Sequence, residues 1–140
     1  MQQQLRFDHL EYSNPHSEAV YLRQPLTAAE LRQRFPRLRG IEFDFGRTAF
    51  APLRYDHQVM FAEILEAFNF EEIRIESIGR VGFLPDSIWK PSVKYLNFGY
   101  RSQFDLKPPK GFENRLKTIF LCGNAAIDEA VFDTPTLEAV

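Results

Sequence analysis

The sequence predicts an α/β solenoid, with a parallel β-sheet of short strands on the concave face and helices or extended turns on the convex face. Three observations predict it. The apolar frame Φ-x-x-Φ-x-Φ recurs at Phe70/Ile73/Ile75, Val93/Leu96/Phe98 and Leu116/Ile119/Leu121, each copy 23 residues after the last. A fourth column, Val81, Phe104 and Ile127, keeps the same step. The chain also carries 14 phenylalanines in 140 residues, a load that a stacked core of repeated frames can absorb.

The elements follow in chain order. Phe7/Leu10/Tyr12 gives a first, faint copy of the frame, and Leu38/Ile41/Phe43 gives another 31 residues later. Between them Thr27 and Glu30 form a capping-box pattern, Leu31 and Phe35 follow at helical spacing, and Pro36 stops the helix. Residues 57–68 place Phe61, Leu65 and Phe68 at i, i+4 and i+7, an amphipathic helix. The last three copies alternate as strands do: in LKTIFLCG, Ile119 and Leu121 point one way, Phe120 and Cys122 the other. Their returns carry Pro85, Pro91, Pro108 and Pro109, so extended or single-turn structure is expected there. Strands this short bury their apolar rows only by stacking in a parallel ladder, at about 4.8 Å per step. The expectation is one domain, residues 1–140, of about five coils. Leu137 and Val140 look like the start of another strand, which leaves open a fragment of a longer repeat array.

LKTIFLCGNAAI is close to the block L-x-x-L-x-L-x-x-N-x-x-L, with Asn124 at its asparagine position, and LPDSI (residues 84–88) matches Leu-Pro-x-x-Ile. Through these residues the chain resembles the leucine-rich repeat family, well over residues 70–132, moderately over 35–69 and weakly before. It departs from the family at Ile78 and Arg101, where Asn or Cys is preferred, and at Gly46 in the upstream copy. Phe replaces Leu at many framework positions. The resemblance implies protein binding through the concave sheet, without catalysis or cofactor.

Composition narrows the function classes. Hydrophobic residues make up 44% and charged residues 26%, the mix of a globular protein. Seventeen basic against nineteen acidic residues, a net charge of −2, argue against a general nucleic-acid or anionic-membrane binder. No apolar run reaches a transmembrane length and the N-terminus has no signal-peptide core, so a soluble cytoplasmic protein is expected. One cysteine excludes an internal disulfide framework. His9, His16 and His57 are too dispersed for a metal site, and Cys122 has no histidine in a neighbouring coil to act as base. No HExxH, GxSxG, GxxxxGK[ST] or GxGxxG motif occurs. No enzyme activity, metal or cofactor is expected.

The positions between framework residues line the concave face. In order they are Asp8, His9, Glu11 and Ser13; Arg39, Glu42, Asp44 and Phe45; Glu71, Glu72, Arg74 and Glu76; Lys94, Tyr95, Asn97 and Tyr100; Lys117, Thr118, Phe120 and Cys122. Acids dominate the first three sets, and the aromatics Tyr95, Tyr100 and Phe120 gather in the last two. A partner-binding face is therefore expected at Glu42, Asp44, Glu72, Arg74, Glu76, Tyr95, Asn97, Tyr100 and Phe120. It would take a polypeptide with a basic residue for the acidic half and an apolar anchor for the aromatic half. The bland alternative is a solvated face balanced by pairs such as Glu42–Arg74. A further alternative is an assembly unit that self-associates through an open C-terminal edge.

Overall fold

The computed structural model describes residues 5–52, 55–99, 102–106, 116–121 and 125–127. The strands are β1 (Asp8–His9), β2 (Ala19–Leu22), β3 (Gly40–Pro52), β4 (Glu72–Phe83), β5 (Tyr95–Phe98), β6 (Ser102–Leu106), β7 (Thr118–Leu121) and β8 (Ala125–Ile127). Helices α1 (Ala28–Arg34) and α2 (Tyr55–Ala67) fill the returns before β3 and β4, and short 3-10 turns span Leu10–Tyr12 and Asp86–Trp89. All pairings among the described strands are parallel. Six strands run in one path, β1-β2-β3-β4-β5-β7, and a branch β4-β6-β8 leaves the second half of β4.

The repeated frame sets the register. Val20, Ile41, Ile73, Leu96 and Ile119 stand side by side, and so do Leu22, Phe43, Ile75, Phe98 and Leu121. The lead positions Leu38, Phe70, Val93 and Leu116 are all buried. One row of hydrogen bonds indexes the strand starts. The Glu18 carbonyl accepts from the N–H groups of Arg39 and Gly40 (2.6 and 2.9 Å), and the Arg39 carbonyl accepts from Glu71 and Glu72 (2.7 and 3.3 Å). The Glu71 carbonyl accepts from Lys94 and Tyr95, and the Lys94 carbonyl from Lys117 and Thr118, 2.8 and 3.1 Å in each case.

The helices pack one face of this sheet. Thr27 Oγ1 accepts from the Glu30 N–H at 3.1 Å and Glu30 reaches back to the Thr27 N–H, so the expected capping box starts α1. Leu31 and Phe35 are buried beneath it. α2 buries Met60, Phe61, Ile64, Leu65 and, just past its end, Phe68, with the Phe61 ring edge-on to Phe43 at 4.6 Å. Its last carbonyls are satisfied from outside: Lys90 Nζ donates to Glu66 (2.7 Å) and Phe68 (3.0 Å), and Arg32 donates to Ala67. The later return, with Pro85 capping the Asp86–Trp89 turn, is a single turn that buries Ile88 and Trp89. No helix among the described residues is long and apolar enough to cross a membrane.

The N-terminus departs from the expected frame. Leu10 and Tyr12 lie in a 3-10 turn, not a strand, and Tyr12 is 82% exposed. The frame copy that pairs with β3 is instead Ser17/Val20/Leu22, 21 residues before Leu38/Ile41/Phe43. A buried Ser17 holds the lead position, where it donates to Asp8 Oδ2 at 3.0 Å and accepts from the Asn14 N–H at 3.2 Å. The polar lead hid the copy. β3 and β4 are also longer than expected: β3 runs on beside β4 through register shifts after Phe43, and the second half of β4 carries the branch. There the column Val81, Phe104, Ile127 slips: Phe104 pairs with Ala125 and Ile127 with Leu106.

Candidate functional site

Strand alternation turns the other half of each frame to the sheet's open face. Two rows cross it. One runs Ala19, Gly40, Glu72, Tyr95, Thr118 and the next runs His9, Tyr21, Glu42, Arg74, Asn97, Phe120. Asp44 and Glu76 continue along β3 and β4 beyond the second row. Eight of the nine expected partner-binding residues therefore lie on this face or its margin, and Tyr100 lies outside the described residues. So do Cys122 and Asn124.

Phe45 does not face this way. It packs beside Phe43 (6.2 Å between ring centres) and His57 (5.3 Å), on the side that α2 covers. Glu11 and Ser13 have left the sheet with the turn after β1.

The charges are sorted by partner. At the strand starts Arg39 bridges Glu18 (3.1 Å) and Glu71 (2.5 Å), and these hydrogen bonds, that to Glu71 foremost, raise its already high pKa. Arg74 Nε pairs with Glu72 Oε2 at 2.6 Å on its own strand, while its charge also acts on Glu42, its neighbour across the strand, as the balanced-face alternative supposed. Residues two apart on a strand share a face, and this contact nearly buries Glu72, at 6% exposure. Glu42 sits half-buried one strand away. Burial pushes its carboxyl above the ordinary range; nearby Arg74 and Arg23 oppose this, and the like charges of Glu76 and Asp44 add to it. The Glu76 carboxylate lies directly against Gly99, so a side chain there would displace it.

Next to this acidic region the face opens into a groove of about 420 Å³, lined by Glu72, Arg74, Tyr95, Asn97, Thr118 and Phe120. Phe120, 55% exposed, is a large apolar side chain left open on the last strand of the path. A smaller cavity of about 270 Å³ lies at the other end, between His9, Tyr12, Tyr21 and Arg23. Tyr21 and Arg23 were not anticipated, although the alternation Ala19-Val20-Tyr21-Leu22 carries the signal. Among the described residues no group of three His, Cys, Asp or Glu side chains converges on a metal position. The arrangement offers an ion pair, a half-buried carboxyl and an open aromatic edge, which suit non-covalent recognition. Comparison with protein-family models, with curated proteins and with solved structures finds no match to this chain.

Proposed function

We propose that the chain is a leucine-rich-repeat-like solenoid that recognises a polypeptide on its open sheet face, without catalysis or cofactor. One observation carries the reading: the open groove at Tyr95, Asn97 and Phe120 lies beside Arg74, the neighbour across the strand of a half-buried Glu42 that sits among Glu76 and Asp44. Exposed aromatics anchor partners, and a group of neighbouring carboxylates favours a cation. From Glu42 to Phe120 is three strand steps, about 14 Å, which an extended chain covers in about four residues. The ligand is thus an extended segment with Lys or Arg about four positions from an apolar side chain. A bead-displayed peptide library screened against the protein should enrich that spacing, and Phe120→Ala should abolish the enrichment. Identical selections by both proteins would refute the reading.

A second reading has one specific observation in its favour. β7 pairs only with β5 among the described residues and carries the open Phe120, so its edge suits a second copy of the chain. Sedimentation that shows a dimer, dissociated by Phe120→Asp, would favour assembly.

A further inference from the structure

We propose that the N-terminal arm, Leu5 to Phe7, is a self-ligand of the open sheet face that controls access to it. The inference rests on the recognition reading above and adds its regulation. The first row has Ala19 and Gly40 where the next strands have Glu72, Tyr95 and Thr118, and these two small residues leave a trough two strands wide. The arm fills it. A side-chain carbon on Gly40 would stand 2.9 Å from Leu5 Cδ1, 3.0 Å from Ala19 Cβ and 3.3 Å from Phe7 Cζ, so glycine is what lets the arm come down onto the backbone. The Phe7 ring lies 5.6 Å from that of Tyr21, and the Arg74 guanidinium sits 3.9 Å from its centre. Arg74 is thereby held between the arm and Glu72, and joins the trough to the groove.

The arm's attachment is slight. It continues into a strand of two residues, Asp8 and His9, which pairs with β2 alone among the described residues. Leu5 and Phe7 are only half-buried. Segments with so little pairing open locally at low free energy, while a ligand that needs the trough binds in proportion to the open fraction. Between its two docked apolar side chains the arm turns Arg6 outward, 91% exposed and paired to Asp8 at 3.1 Å.

Arg6 makes the docking measurable. Trypsin cuts after Arg6 only when the arm lifts, so cleavage reports the open population. The full chain is compared with Leu5→Ser/Phe7→Ser, which loosens the arm, and with Gly40→Leu, which fills the trough and leaves the cleavage site unchanged. Both variants should release residues 1–6 about tenfold faster or more, with cutting after Arg34 in α1 unaltered. An anilinonaphthalene sulfonate dye should brighten on the double variant, whose trough is emptied, and less on Gly40→Leu. Equal cleavage at Arg6 in wild type and double variant, or a dye signal no higher on the double variant, would overturn the proposal. The double variant leaves the sheet intact and decides the matter if Gly40→Leu does not fold. Neither readout needs a partner, so failure here is separable from failure of the peptide selection.

Discussion

Arg39 and Glu71 occupy the same step of adjacent strands, and the guanidinium that meets the Glu71 carboxylate at 2.5 Å also reaches back to Glu18 at 3.1 Å. One cation thus ties three successive strand starts. The cluster is partly exposed, so solvent and salt weaken it. Arg39→Ala should cost about 0.5–1 kcal/mol in low salt and much less at 1 M NaCl, read from urea unfolding at both ionic strengths.

Glu42 carries a pH signature. Burial raises its carboxyl pKa, so the folded state holds this proton more tightly than the unfolded chain does. Ionised Glu42 therefore weakens the fold above its raised pKa, and the penalty disappears as pH falls below the unfolded value of about 4.3. Glu42→Gln should raise the melting temperature at pH 7, with the gain shrinking towards pH 4. A gain that is constant with pH would refute the assignment to charge burial.

Ser17 tests the hidden repeat. Ser17→Val restores the apolar lead of the frame but removes the partner of Asp8 Oδ2 and of the Asn14 N–H. The hydrogen-bond loss should dominate, at about 1–3 kcal/mol of destabilisation by chemical denaturation.

The contact between Phe43 and Phe61 joins the sheet to α2. Its edge-on geometry predicts a coupling of about 0.5–1.5 kcal/mol in a double-mutant cycle of Phe43→Leu and Phe61→Leu.

α1 depends on its capping box. Thr27→Ala should cost about 1 kcal/mol and lower the melting temperature by about 3 °C.

What could be read from the chain was whatever repeats. Ile41, Ile73, Leu96 and Ile119 sit in one row of the sheet because an apolar side chain at a fixed step has only one place to go in a parallel stack. Thr27 and Glu30 were legible for a different reason, since a cap is built from neighbours in sequence. β2 was not legible, because its lead residue is a serine buried by hydrogen bonds, which apolar patterning passes over. At the site, alternation placed Glu42, Arg74 and Asn97 on one face. It could not choose Glu72 over Glu42 as the partner of Arg74, because two carboxylates were within reach and only side-chain geometry separates them. The arm was equally hidden: Phe7 looked like framework, and what holds it is the emptiness at Gly40.

The doubled hydrogen bonds at the carbonyls of Glu18, Arg39, Glu71 and Lys94 clamp β3, β4, β5 and β7 at the first amide of each and the one before it, whatever length of chain precedes the strand. The intervals between these residues are 21, 32 and 23, and from Lys94 to Lys117 again 23, yet the side chains across the open face stay in step. Loop length is thereby decoupled from the order of side chains across the open face. Residues inserted behind the sheet change the back of the molecule, while a single residue inserted after the clamp would turn every later side chain of that strand to the opposite face.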